Sequence, residues 1–171
     1  MVKRRSLRGD YCPSARSLDV IGDWWSLLIV RDAFDGLTRF GEFQKSLGIA
    51  KNILADRLRT LTARGILKAE PTADGGAYQE YHLTDMGRDL FPVMVALRQW
   101  GERHLFAPGE KHSKLVERRT GQRIRLRIGT DDGQPVGPND AVIIKVPDLQ
   151  EPRPAPRKTQ AKTRRASSRS S

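Results

Sequence analysis

Within nine residues the chain sets Lys51, Asn52, Ala55, Arg57 and Arg59. The chemistry open to such a set is hydrogen bonding to planar, polyanionic partners. An asparagine amide matches the donor–acceptor edge of adenine, lysine and arginine reach guanine edges or phosphate oxygens, and an alanine methyl can meet the thymine methyl. At helical spacing Lys51, Asn52, Ala55, Asp56 and Arg59 point away from a stripe of Ile53, Leu54, Leu58 and Leu61. Arg57 leans toward the inward face, with a stem long enough to carry its guanidinium to a phosphate. Asp56 suits the fold or the register, since a carboxylate is repelled by phosphates. The competing reading is a solvated helix surface, the ordinary fate of such charges.

Other reactive side chains form no catalytic set. His82, His104 and His112 are scattered, no Ser/His/Asp or Cys/His spacing occurs, and no glycine-rich phosphate loop is present. An enzyme is not expected, nor a metal site or cofactor. Cys12 has Arg16 one helical turn on, and that charge together with a helix start would favour a thiolate. A small residue before a helix is the plainer account of Cys12. Arg39 stands where a helix start could touch backbone phosphate. Gly75-Gly76 would let a turn approach a duplex without side-chain clash, although neighbouring Asp74 makes an ordinary hairpin turn as good a reading.

These residues need elements to carry them. Residues 14–34 read as helix with a break at Gly22, where Asp23 can cap the restart, and WWSLLIVRDAF is apolar almost all round. Thr38 can cap a helix striped by Phe40, Phe43 and Leu47 and ended by Gly48. The helix from about Ala50 to Ala63 follows and is closed by Gly65. Ala73-Asp74-Gly75-Gly76 is a turn between extended runs at 66–71 and 77–83. Thr84 can cap a long helix, Asp85 to about His104, kinked at Pro92. The spacing predicts helix–turn–helix followed by a hairpin, the order in which a small domain offers one helix to a groove and braces it with a wing.

Beyond Pro108-Gly109 the texture changes. Ile124, Leu126 and Ile128 alternate with Arg123, Arg125 and Arg127, and Gly121-Gln122 echoes Gly133-Gln134, which predicts two small hairpins. About 40 residues are marginal for an independent core, so this piece should dock on something. Residues 151–171 have the composition of a disordered basic tail.

The net charge of +11 is unevenly placed. Residues 1–110 carry 16 Lys/Arg against 14 Asp/Glu, residues 111–151 carry 8 against 6, and residues 152–171 carry 7 and no acid. The tail could add nonspecific phosphate attraction or simply solubilise the chain. No apolar run approaches the roughly 20 residues of a membrane span. The basic start lacks the apolar stretch of a signal peptide, and a single cysteine agrees with a reducing compartment, so a cytoplasmic protein without membrane contact is expected.

Cys12-Pro13, LDVIGDWWSLLIVRD at 18–32, RFGEF at 39–43, LADRLRTL at 54–61, Gly65-Ile66-Leu67 and EYHLTDMGRDLFPV at 80–93 stand in a distinctive order. Over residues 12–104 the chain resembles the HxlR family of bacterial transcription regulators, winged-helix proteins related to the MarR type. The resemblance implies a homodimer on double-stranded operator DNA, with the first and last helices of the domain forming the interface. Trp24, Trp25, Leu28, Phe91, Met94 and Trp100 are candidates for that interface, or alternatively fill the monomer core. In some relatives a cysteine at the place of Cys12 senses oxidants or electrophiles. Two departures stand out. Ala50 and Ala55 replace the Ser or Thr often found in the family, and residues 111–148 resemble a ribbon-like tail of certain relatives but contain no cysteine, so no zinc site is expected there.

The expected architecture is therefore α+β and mainly helical. It comprises a basic arm (1–11), an HxlR-type winged helix-turn-helix domain with flanking dimerisation helices (12–107), a small β-rich C-terminal appendage (111–150) and a disordered basic tail (151–171). The expected function is sequence-specific DNA binding by a homodimer on a pseudo-palindromic operator, open to redox control or to a small-molecule effector in an apolar pocket between the long helices. The alternative is a winged-helix module for protein or RNA contact, supported by the near-neutral charge of residues 1–110.

Overall fold

The computed structural model describes residues 6–72 and 78–143. The tail from 151 onward and the turn glycines Gly75 and Gly76 lie outside the described residues. The elements run α1 (Pro13–Ile21), α2 (Trp24–Phe34), α3 (Phe40–Leu47), α4 (Lys51–Ala63), β1 (Leu67–Pro71), β2 (Gln79–Leu83), α5 (Asp85–Arg88) and α6 (Phe91–His104). This is a winged helix-turn-helix, α3 and α4 forming the helix pair and β1–β2 the wing.

Local chemistry sets most boundaries. The Asp23 carboxylate accepts the Ser26 amide at 3.0 Å and starts α2. Gly48 ends α3 at φ +61° and Gly65 follows α4 at φ +74°, left-handed conformations that glycine adopts without steric cost. The expected cap at Thr38 is not formed. Arg39 is the N-cap of α3, and the Glu42 carboxylate accepts the backbone amides of both Thr38 and Arg39 at 2.9 Å. Those two bonds hold the Glu42 carboxyl below its usual range, the one from Arg39 contributing most. A charged acceptor three residues inside the helix thus ties down the amides that precede it, whereas a capping hydroxyl would have bonded those of the first turn.

The long helix expected from Asp85 to His104 is two helices. Thr84 caps α5 by accepting the Gly87 amide at 3.0 Å, and the chain then breaks at Asp89-Leu90. Pro92 lies in the first turn of α6 and kinks nothing, because an amide there has no partner within the helix to lose.

The core lies where α2, α3, α4 and the wing meet. Ile29, Phe43, Leu54, Leu58, Leu61 and Ile66 are almost wholly buried in one cluster. Each such side chain contributes about 2 kcal/mol of transfer free energy. Ile53, expected on the inward stripe, is 37% exposed, since Leu54, Leu58 and Leu61 at i, i+4 and i+7 already define the buried line. In the antiparallel wing Leu67 faces Leu83 and Glu70 faces Glu80. That like-charge pair is relieved by Lys68, 2.7 Å from Glu70, and by Arg39, 3.0 Å from Glu80.

Residues 111–137 differ from the two hairpins expected. Both turns form, with Gly121 at φ +70° and Gly133 at φ +83°, but each is closed by one isolated bridge, Val116 with Arg123 and Gly129 with Pro135. No strand forms among the described residues of the appendage, and Ile128, on the expected apolar face, is 69% exposed. A short two-stranded ribbon whose apolar face is left uncovered by the described residues has little to extend it. The segment instead docks on α6. The Gln99 side chain donates to the Ile124 carbonyl at 3.1 Å and accepts the Leu126 amide at 3.3 Å, and Arg123 reaches Glu102 at 2.8 Å. The residues up to Gly137 belong to one compact unit. Pro138–Ile143, in a second unit, form a turn followed by a stretch without regular secondary structure.

Among the described residues no helix is long and apolar enough to cross a membrane, and no group of three His, Cys, Asp or Glu is placed to hold a metal ion.

Candidate nucleic-acid interface

Three buried leucines decide which way α4 faces. With Leu54, Leu58 and Leu61 in the core, the opposite side presents Asn52, Ala55 and Arg59 to solvent, and Lys51 opens the helix, also exposed. Ala50 is the N-cap and offers no side-chain acceptor to the first amides of α4. That end is therefore open to an external acceptor, and the helix dipole favours an anionic one.

The two arginines expected beside them are separated by the fold. Arg59 is 72% exposed and rests on Asp56 at 2.6 Å. Arg57 is only 30% exposed, with its Nε 3.2 Å from the Asp23 carboxylate and its Nη1 3.3 Å from Asp56. Asp23 thus caps α2 and anchors α4 with the same carboxylate. Asp56 occupies the middle of the polar face and holds both guanidiniums, at 3.3 Å for Arg57 and 2.6 Å for Arg59.

Arg39 joins α3 to the wing through Glu80, and the two residues also form a backbone bridge. It lines a cleft of about 890 Å³ between α3, the start of α4 and the wing, together with Gln44, Lys45, Lys51, Tyr78 and Gln79. Lys45 and Tyr78 were not singled out in the sequence. Lys45 projects from the outward side of α3, and Tyr78, 79% exposed, follows the turn directly. The signal available was their position beside the expected groove-reading helix; the cleft exists only once the wing folds back. Three cations and an exposed aromatic ring in one cleft suit a sugar–phosphate chain, and the one carboxylate in the lining, Glu42, is engaged by the Thr38 and Arg39 amides.

Cys12 is exposed at the N-cap of α1, where its backbone amide donates to the Asp10 carboxylate at 2.8 Å. The Arg16 Nε donates to the Asp10 carbonyl. The interface candidates divide. Trp25 and Met94 pack against the core and Leu28 is half-buried, whereas Trp24, Phe91 and Trp100 are 64%, 38% and 50% exposed. Trp24 and Trp25 stack with centroids 4.1 Å apart, and Phe91 meets Phe34 edge-on at 5.4 Å.

Comparison with known proteins agrees with this geometry. The model of the family described as HxlR-like helix-turn-helix matches residues 20–108. The uncharacterised HTH-type transcriptional regulator Rv3095 of Mycobacterium tuberculosis is 39% identical over 113 residues, covering 66% of this chain and 72% of that protein. Among solved structures, PA1607, described as a putative transcription factor, superposes with a TM-score of 0.78 at 57% identity, covering 82% of this chain and 99% of that one. The redox regulator HypR in its oxidised form superposes with a TM-score of 0.51 at 35% identity, over 56% of this chain and all of that one, 100%. A family match over more than half the chain, on a helix pair and wing whose exposed face carries Lys51, Asn52 and Arg59, identifies this protein as a transcriptional regulator of the HxlR-like helix-turn-helix family.

Proposed function

We propose that the protein binds a pseudo-palindromic operator as a homodimer, in the cytoplasm, with no catalytic role. The observation that carries this reading is the row Asn52, Ala55 and Arg59 standing exposed on α4 beside the cation-lined cleft. Asn52 and Arg59 read base edges or phosphates, Ala55 meets a thymine methyl, and Lys51, Arg39 and Lys45 hold the backbone. Two copies related by a two-fold axis place their α4 helices in successive major grooves, about 34 Å apart. Trp24, Phe91 and Trp100 supply the apolar face that a second copy covers. Selection from random DNA followed by a mobility-shift titration tests the proposal. A palindrome should be enriched, and Lys51→Ala with Asn52→Ala should weaken its binding by at least roughly tenfold. Unchanged affinity of the double variant overturns the assignment of α4.

The competing reading, a module for protein or RNA contact, draws on the near balance of charge in residues 1–110 and on Asp56 in the middle of the polar face. It predicts that the random-DNA selection enriches nothing. Redox control through Cys12 is supported by the exposure of the thiol and by the likeness to HypR. Treatment with diamide should lower operator affinity in the native protein and leave Cys12→Ser unaffected; equal responses remove Cys12 from the scheme.

A further inference from the structure

Asp32, in the middle of the apolar α2 sequence, is a carboxylate with a 3% exposed side chain. Its Oδ1 accepts from the neighbouring Arg31, at 2.8 Å from Nε and 2.6 Å from Nη2. Its Oδ2 is buried and has no hydrogen-bond partner among the described residues. A buried charged acceptor left half satisfied is costly, and a donor supplied from outside recovers that cost.

Asp32 belongs to the wall of a cavity of about 490 Å³ between α2, the end of α3, α6 and residues 113–115. The size falls in the range of small-molecule sites, roughly 300–1,000 Å³. Phe34, Phe91, Met94, Val95 and Leu115 make the wall mainly apolar. Two guanidiniums also border it, but both are already matched: Arg31 by Asp32, and Arg98 by Glu102 at 2.9 Å. Two polar atoms of this wall lack a hydrogen-bond partner, Arg98 Nε and Asp32 Oδ2; the first still lies 2.9 Å from the Glu102 carboxylate, which leaves the Asp32 acceptor, with Asp35 adding a second carboxylate to the lining. We infer that this cavity binds a small amphipathic amine, its ammonium on Asp32 and its flat apolar body among Phe34, Phe91 and Leu115.

The cavity touches Ser46 of α3, in the helix pair, and Phe91 and Met94 of α6. An occupant therefore contacts the DNA-reading unit and the face assigned to the second copy at once. That consequence rests on the operator-binding dimer proposed above; the binding itself does not.

Titration calorimetry on the 171-residue chain tests the inference with three probes of similar shape, 2-naphthylmethylamine, 2-naphthylmethanol and 2-naphthoate. The amine should bind at least about tenfold more tightly than either of the others, the margin of a charged hydrogen bond. Asp32→Asn should remove that margin while leaving the alcohol unchanged. Leu115→Trp, which narrows the cavity away from the charge, should weaken amine and alcohol alike and decides the matter if Asp32→Asn does not fold. Preference for the naphthoate, parity of amine and alcohol, or amine binding undiminished by Leu115→Trp overturns the proposal. A mobility shift without ligand separates the two readings. Operator binding with no amine binding defeats only the cavity, and amine binding with no operator binding defeats only the dimer on DNA.

Discussion

Arg57 and Arg59 sit two positions apart on α4, yet Arg57 is held by Asp23 and Asp56 at 30% exposure and Arg59 by Asp56 alone at 72%. Their substitutions should therefore separate. Arg59→Ala should weaken binding to all DNA sequences and lower the salt slope by about 1, with little change in thermal stability. Arg57→Ala should cost about 1 kcal/mol of folding stability, because it releases the contact that ties α4 to the start of α2. Salt-dependent titrations and thermal melts of the two variants check this; a uniform loss of DNA binding from Arg57→Ala with an unchanged melt would contradict it. Gly87 is a second residue whose neighbours decide its importance. A Cβ there would run into the Ile66 carbonyl oxygen and stand 3.0 Å from Leu83 Cδ2. Gly87→Ala should destabilise by about 2 kcal/mol or more, although alanine is the better helix former. A chemical melt showing no loss would mean that α5 shifts freely.

At the scale of elements, α6 serves two neighbours. One end contributes Phe91 and Met94 beside the core, and further along Gln99 and Glu102 hold the appendage. The Glu102 carboxyl lies below its ordinary value of 4.5, first because Arg123 donates to it and then through the charges of Arg98, Arg123 and His112. Since its folded value is depressed, the stability it contributes is present above the ordinary carboxylate range. That stability is lost as pH falls through the lowered folded value. Acid should therefore loosen the docking of residues 111–137 on α6. Chemical denaturation between about pH 6 and pH 3 checks the sign: Glu102→Gln should flatten the acid-dependent part of the loss. A variant that keeps the full pH dependence would assign it to other carboxylates.

For the whole molecule, the balance of charge matters less than its placement. The unit that carries α4 is nearly neutral over residues 1–110, so long-range attraction contributes little there, and the proposed operator reading rests on the geometry of α4, the cleft and the proposed second copy. Trp24 and Trp100, 64% and 50% exposed, are the largest side chains that the proposed second copy would cover. Trp24→Glu together with Trp100→Glu should shift the protein from dimer to monomer in sedimentation velocity and lower operator affinity by at least roughly tenfold, since each monomer then pays the full ordering cost of one half-site. A dimer that survives the double change places the two-fold contact elsewhere.

The sequence by itself determined the order of the elements from α1 to β2 and the outward row of α4. Glycines at 48 and 65, a carboxylate at 23 and leucines at 54, 58 and 61 act through local backbone preference and helical period, which need no knowledge of distant residues. Where a rule required a distant partner, the sequence was silent or misleading. Pro92 reads as a kink until the break at Asp89-Leu90 puts it in a first turn. The Ile124, Leu126 and Ile128 alternation reads as a strand, yet among the described residues it makes no strand and Ile128 stays 69% exposed. Arg57 reads as an inward-leaning side chain able to reach a phosphate, and only the fold shows that Asp23, 34 positions earlier, lies 3.2 Å from its Nε. The tertiary structure alone decided that Lys45 and Tyr78 share a cleft with Lys51, and that Asp32 lines a cavity with one oxygen unpaired. The physical reason is the same throughout: hydrogen-bond pairing, burial and charge compensation depend on which groups meet in space, and periodicity along the chain does not carry that information.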